Sequence, residues 1–101
     1  MNTPTPRGLR LSEIAGDMMI EAAANKKRQA TRKLSKGLEL TLYDRDEYFY
    51  LRLYRAELKL PSQTEITVCK NAFFGKDVKV TQEGCHPDSR GGTAYWIKVL
   101  K

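Results

Sequence analysis

The amino-acid sequence predicts an α+β fold, in which a small, largely antiparallel sheet carries one long and one short helix. Three patterns support this prediction. Apolar residues recur at helical spacing near the N-terminus, they alternate with polar residues in the middle of the chain, and a helix-capping pattern precedes a second helical segment. The expected order of elements is helix, strand, strand, helix, strand, strand.

The first predicted element is a long N-terminal helix. Residues 1–10 are rich in proline and glycine and are expected to form a flexible terminus. A helix is predicted over residues 11–36, amphipathic in its first half and basic in its second. Its apolar stripe is formed by Leu11, Ile14, Ala15, Met18 and Ala22. The stripe fades after Ala24, so the basic half is expected to project from the body or to fray without a partner.

The segment of residues 38–55 is predicted to form an antiparallel β-hairpin around a polar turn. Side chains of a strand alternate between the two faces of a sheet, so the leucines and the tyrosines separate. The apolar face is expected to carry Leu38, Leu40, Leu42, Phe49, Leu51 and Leu53. The opposite face is expected to carry Tyr48, Tyr50, Arg52 and Tyr54, joined by Tyr43 if the two leucine faces agree.

A short helix is predicted over residues 63–74, because Ser62 and Glu65 fit a capping box and apolar residues follow at helical spacing. A strand is the alternative, since β-branched residues lie within residues 66–69. Val78 and Val80 indicate a short strand.

The rest of the chain is expected to complete the sheet. Residues 83–93 contain three glycines and a proline and are expected to form an exposed loop. A final strand is predicted over residues 95–100, with Tyr95, Ile97 and Val99 opposite Trp96, Lys98 and Leu100.

Composition and charge limit the class of protein. The chain has 101 residues and a net charge of +6, with 41% hydrophobic and 30% charged residues, which is a globular balance. No apolar run approaches the roughly 18 residues of a membrane helix, and no signal-peptide core is present, so we expect a cytoplasmic protein without a membrane partner. Residues 1–37 hold eight cations against three acids, whereas residues 38–101 are nearly neutral with ten against nine. Residues 38–101 are therefore expected to form the compact α+β domain.

The strongest charge signal is a basic run of six cations without an acid. Its members are Lys26, Lys27, Arg28, Arg32, Lys33 and Lys36. On a helix they would form a broad cationic band able to neutralise phosphates, with an affinity that falls steeply as salt rises. The alternative is a solvated helix end whose charges complement the helix dipole.

The second signal is the stripe of Tyr48, Tyr50, Arg52 and Tyr54 on one predicted sheet face. Aromatic rings and a guanidinium at this spacing are able to stack unpaired bases. They are equally typical of hot spots for a protein partner. The third alternative is that the N-terminal helix packs across this face and makes the tyrosines part of the core.

The sequence contains no complete set of catalytic or metal-binding residues. Cys69 and Cys85 with the single His86 do not give a four-ligand zinc site, and neighbouring residues such as Cys85 and His86 rarely face each other as nucleophile and base. Gly91 and Gly92 lack the sequence and setting of a phosphate-binding loop. We therefore expect no catalytic residue, metal or cofactor.

Two functions remain as predictions. The first is a small non-enzymatic nucleic-acid-binding accessory protein, for DNA or RNA, in which the basic helix contacts phosphates and the Tyr/Arg stripe adds stacking. The second is a protein-binding adaptor or inhibitor that docks on an acidic surface, such as a phage or mobile-element product or a subunit of a ribonucleoprotein or other nucleic-acid-binding protein complex. The oligomeric state is left open.

Overall fold

The computed structural model describes residues 7–34, 37–55 and 60–101. The helices are α1 (Arg7–Ala24) and α2 (Gln63–Phe74), and the strands are β1 (Gln29–Lys33), β2 (Leu38–Asp44), β3 (Tyr48–Arg55), β4 (Gln82–Pro87) and β5 (Thr93–Leu100). The strands form one sheet in the order β1-β2-β3-β5-β4, and every neighbouring pair is antiparallel. The predicted α+β class is confirmed.

The hairpin of β2 and β3 has the predicted faces. Leu40 pairs with Leu53 and Leu42 with Leu51, and directly paired residues of antiparallel strands share a face. These four leucines are fully buried. Strand β5 continues the same alternation, since Ile97 pairs with Leu51 and is also fully buried. The sheet therefore has one apolar face, which forms the floor of the core.

Both helices pack on the leucine face. The core residues that they contribute are Leu11, Ala15, Met18 and Ala22 from α1 and Ile66, Cys69 and Phe73 from α2. Helix α2 begins and ends as predicted. The Ser62 hydroxyl accepts a hydrogen bond from the Glu65 backbone N–H at 3.1 Å, and the Glu65 carboxylate accepts one from the Ser62 N–H at 3.0 Å. The arrangement is two-layered, with helices on one face of the sheet.

The predicted helix over residues 11–36 is wrong beyond Ala24. The Asn25 amide donates to the Glu21 carbonyl at 2.9 Å and to the Gln29 carbonyl at 2.8 Å, so it both closes α1 and fixes the start of β1. Arg28 then adopts a left-handed conformation with φ of 55° and reverses the chain. Without an apolar stripe, this segment gains more from pairing with β2 and burying Ala30 than from a longer helix.

Three further boundaries differ from the predictions. Helix α1 starts at Arg7, within the predicted flexible terminus of residues 1–10, of which residues 1–6 lie outside the described part. No strand forms at Val78 and Val80, and Val80 instead packs partly buried against the core. Residues 83–87 of the predicted loop over residues 83–93 belong to β4, an edge strand that tolerates its glycine and its terminal proline.

The sheet face opposite the leucines is not covered by α1 or α2, because both helices lie on the other side. We call it the outer face. On β2, β3 and β5 its aromatic and basic side chains are Tyr43, Tyr48, Tyr50, Arg52, Tyr54, Trp96 and Lys98. All of them except Tyr54 are partly exposed. The alternative in which α1 buries the tyrosine stripe is therefore wrong.

Candidate functional site

The outer face carries a continuous group of aromatic rings across three strands. Tyr43 of β2 pairs with Tyr50 of β3, and Tyr50 contacts Trp96 of β5 with ring centroids 5.5 Å apart and planes at 81°. Tyr48 meets Tyr50 edge-on at 5.1 Å. Edge-to-face contacts fix the rings relative to one another and leave part of each π-surface open to solvent.

A shallow concavity with a volume of about 480 Å³ lies among these rings. It is lined by Tyr43, Arg45, Tyr50, Arg52, His86 and Trp96. Trp96 reaches over β4 because position 84 is a glycine, at which a Cβ atom would stand 3.0 Å from Cζ2 of the indole. The concavity thus combines aromatic walls with two guanidinium groups and an imidazole, a composition suited to a planar ligand with anionic or hydrogen-bonding groups.

One end of the outer face is closed by the turn between β4 and β5. Arg90 lies over the ring of Tyr54, with its Cζ atom 4.1 Å from the ring centroid, and the Tyr54 hydroxyl donates to the Gly91 carbonyl at 3.0 Å. Arg90 also binds the Glu39 carboxylate with both terminal nitrogens, at 2.8 and 3.3 Å. Tyr54 is therefore only 6% exposed and offers no free stacking surface, unlike the other predicted tyrosines.

Arg52 belongs to the same ionic network. Its Nε donates to His86 Nε2 at 3.0 Å, and its Nη2 donates to the Asp88 carboxylate. Hydrogen bonds from the side chain and the backbone of Arg90, together with that from Arg52, hold the pKa of the Asp88 carboxyl well below its usual range. The hydrogen bond from Arg90 likewise lowers the pKa of Glu39. Arg52 is consequently held in one position and its positive charge is largely balanced by Asp88.

The predicted basic run does not form a helical band. Arg28 pairs with Asp44 at 2.8 Å and with Asp46 at 3.0 Å, and Arg32 pairs with Glu21 of α1 at 2.6 Å. These two arginines tie β1 to the rest of the fold. Lys26, Lys27 and Lys33 are exposed and form no ion pair within the described ranges 7–34, 37–55 and 60–101. Lys36 lies outside the described residues.

The turn after α1, which carries the exposed Lys26 and Lys27, contacts a residue of the concavity through its backbone. Arg45, which lines it, donates to the carbonyl of Lys27 at 3.3 Å and to that of Arg28 at 3.2 Å. The backbone of this turn therefore lies against Arg45 at the border of the aromatic group, and we call Lys26, Lys27 and Arg45 the cationic rim. Lys98 adds a further cation on the outer face, with its Nζ 4.3 Å from the centroid of the Tyr48 ring.

Three residues of the site were not among the predicted site residues: Arg45, His86 and Trp96. The alternation in residues 95–100 places Trp96 opposite Ile97, but only the pairing of β5 with β3 puts it beside Arg52. Arg45 reads as a turn residue, and His86 falls in a segment predicted as a loop. Tyr43 was predicted only as an extension of the stripe, and its pairing with Tyr50 confirms that placement.

Other types of site find little support within the described residues. No group of three or more His, Cys, Asp or Glu side chains there is placed to hold a metal ion. Cys85 and His86 alternate along β4, and His86 lines the outer-face concavity while Cys85 points to the other side of the sheet. Neither α1 nor α2 is long and apolar enough to cross a membrane. Comparison of the chain with protein-family models, with curated proteins and with solved structures found no match.

Proposed function

We propose that this protein is a small, non-enzymatic nucleic-acid-binding accessory protein that holds a single strand across its outer face. The main support is the partly exposed group of Tyr43, Tyr50 and Trp96 beside the cationic rim. Unpaired bases have an apolar face for stacking and a phosphate at each step, so an aromatic surface with cations along its border matches both.

The roles within this surface follow from exposure and charge balance. Tyr43, Tyr50 and Trp96 stack bases, each contact contributing about 1–3 kcal/mol. Lys26 and Lys27, which form no ion pair with described residues, contact phosphates. Arg28 and Arg32 already have carboxylate partners within the fold, so they contribute less to binding than the basic run suggests. Single strands are preferred over duplex, because bases in a duplex are not free to stack on protein rings.

Fluorescence anisotropy with labelled single strands of about ten nucleotides, and with the matching duplexes, tests this function. We expect low-salt binding that prefers the single strand. The double variant Tyr43→Ala/Tyr50→Ala should weaken it by roughly 30-fold or more, as two lost stacking contacts imply. Absence of binding to every single strand at low salt would contradict the proposal.

The charge contribution is tested by a matched pair of double variants. Lys26→Glu/Lys27→Glu should weaken the binding of single strands. The logarithm of the association constant should also fall less steeply with the logarithm of the salt concentration, with a slope smaller in magnitude by roughly 1.4 if each lysine contacts one phosphate. Lys76→Glu/Lys79→Glu makes the same change in net charge at two exposed positions between α2 and β4. An equal loss in both variants would show a general effect of net charge rather than a bound surface.

The alternative function, a protein-binding adaptor or inhibitor, has support from one feature. Leu100 is 57% exposed and pairs with Tyr48 on the outer face, which adds an apolar contact that a phosphate backbone does not need. This alternative would be favoured if one protein partner stays bound in stoichiometric amount after nuclease treatment. Leu100→Asp should then abolish binding of that partner, whereas Ile20→Asp should retain it. Ile20 is a suitable control because it is 71% exposed on α1, away from this face.

A further inference from the structure

Arg52 occupies a fixed position in the wall of the concavity. His86 accepts from its Nε, Asp88 accepts from its Nη2, and the ring of Tyr54 lies with its centroid 5.6 Å from Cζ. The Arg52 side chain is 15% exposed, so most of its length is enclosed by these neighbours. A guanidinium held on three sides presents its remaining donors in a defined direction, at little further cost in side-chain entropy.

The donors that remain are the two N–H groups of Nη1 and one N–H group of Nη2. A guanidinium has five N–H groups, and the bonds to His86 and Asp88 use two of them. The other three have no acceptor among the described residues, and no buried side-chain nitrogen or oxygen there lacks a partner. Nη1 is therefore reachable from solvent, and Arg52 is among the residues that line the concavity.

The charge balance around Arg52 favours a base over a phosphate as its ligand. Asp88, whose carboxylate side chain is only 4% exposed, offsets the positive charge of Arg52. Attraction to a phosphate is reduced accordingly, whereas the directional hydrogen-bonding capacity of the free N–H groups is not. The free lysines of the cationic rim are better placed for the phosphate.

Trp96 lies next to Arg52 in the sheet, as its direct partner on β5. A base stacked on this indole would have its edge beside the Arg52 guanidinium, with Tyr50 standing edge-on to Trp96 as a wall. A base whose edge carries two adjacent hydrogen-bond acceptors is suited to two parallel N–H donors of a guanidinium. Guanine presents O6 and N7 in this way, whereas adenine pairs its N7 acceptor with an amino donor.

We infer that the concavity binds one unpaired guanine, stacked on Trp96 and read by Arg52 through O6 and N7. This inference rests on the proposed function and narrows it to a base preference at a single position. His86 and Asp88 act as positioning residues, since both accept hydrogen bonds from the guanidinium and hold it in place.

The test uses the full chain and single strands of oligothymidine that carry one central guanine, adenine, cytosine or 7-deazaguanine. We expect the guanine strand to bind roughly five- to 100-fold more tightly than the adenine and cytosine strands. The 7-deazaguanine strand, in which a C–H group replaces N7, should lose most of this advantage. Because this comparison changes the ligand alone, it does not depend on any variant folding.

Arg52→Lys provides the second arm, because an ammonium group cannot form the paired donor. It should bring the guanine and adenine strands to similar affinities. Arg90→Lys is the matched control, since Arg90 also binds Asp88 but does not line the concavity, and it should keep the guanine preference. Thermal unfolding of both variants verifies that they are folded at the assay temperature.

The possible results distinguish the guanine preference from the proposed binding of single strands. Similar affinity for all four strands, a preference for cytosine, or a guanine preference that survives both 7-deazaguanine and Arg52→Lys would overturn the inference and leave the proposed function intact. Failure to bind any strand would overturn both.

Discussion

The guanidinium of Arg90 lies 4.1 Å from the ring centroid of Tyr54 and covers it with the turn between β4 and β5. This contact separates Tyr54 from the other tyrosines of the outer face. Its hydroxyl also donates to the Gly91 carbonyl at 3.0 Å, whereas the Tyr50 hydroxyl has no hydrogen-bond partner among the described residues. Tyr54 thus stabilises the fold, and Tyr50 is available to a ligand.

Tyr54→Phe should lower the free energy of unfolding by about 0.5–1.5 kcal/mol, because it removes this hydrogen bond. It should leave the affinity for single strands unchanged. Tyr50→Phe is the matched control and should leave both quantities nearly unchanged, since the stacking ring remains. Urea denaturation and anisotropy measure the two quantities. Loss of affinity in Tyr54→Phe without loss of stability would contradict the assignment of Tyr54 to the fold.

Gly84 sets the position of Trp96. A Cβ atom there would lie 3.0 Å from Cζ2 and 3.3 Å from Cε2 of the indole, which is tighter than most Cβ contacts and requires the ring to shift by a few tenths of an ångström. Gly84→Val should therefore displace the ring, lower stability by about 1–3 kcal/mol and weaken binding of single strands. Trp96 is the only tryptophan in the chain, so its intrinsic fluorescence reports the displacement directly.

Gly16 provides the opposite case within α1. Nothing lies within 4 Å of a Cβ atom at this position, so Gly16→Ala should stabilise the protein by about 0.5–1 kcal/mol through helix propensity alone. Its tryptophan fluorescence should match that of the parent protein. An unchanged emission spectrum in Gly84→Val would show that the indole does not need the space over β4.

Local patterns were sufficient to predict much of this fold from sequence. Alternation defined β2 and β3, and the pair Ser62 and Glu65 defined the start of α2. The predicted first helix is too long because a run of good helix formers does not show that a neighbouring strand is available to pair with the same residues. The side-chain cap of Asn25 and the left-handed Arg28 become decisive only once β2 is available for pairing.

The candidate site depends on contacts between distant parts of the chain, so it was less predictable. The alternation within β3 predicts the tyrosine stripe, but it does not determine whether the helices pack on that face of the sheet or on the other. Arg52 is separated along the chain from His86 by 34 positions and from Asp88 by 36. Only the pairing of β5 with both β3 and β4 brings them together.

The folded state should lose stability as the pH falls into the acidic range. The pKa values of Asp88, Glu39 and Asp44 are lowered in the folded state. For Asp44 burial is the largest single effect and raises the pKa, but the hydrogen bonds and positive charges of Lys101 and Arg28 together outweigh it. A carboxyl group with a lowered pKa contributes stability above its unfolded pKa of about 4, and this contribution is lost as the pH falls through the folded value. The midpoint of thermal unfolding should therefore fall steadily below about pH 4.

Asp88→Asn should lower the midpoint of thermal unfolding near neutral pH. The midpoint should also change less as the pH falls, because one of the carboxylates with a lowered pKa is absent. Asp77→Asn is the control, since Asp77 is exposed and forms no ion pair with the described residues. It should retain the acid response of the parent protein. Circular dichroism melts over a pH series measure both variants, and an identical acid response in the two would contradict the role given to Asp88.

The two cysteines should differ sharply in reactivity. Burial, together with the nearby Glu65 carboxylate, raises the pKa of the Cys69 thiol to about 12, so at about pH 8 its thiolate fraction is on the order of one in ten thousand. Cys85 is exposed on β4. Native protein treated with iodoacetamide should therefore be alkylated at Cys85 alone, and Cys85→Ser should react only once urea unfolds it. Rapid alkylation of native Cys85→Ser would show that Cys69 is accessible, contrary to the packing of α2 on the sheet.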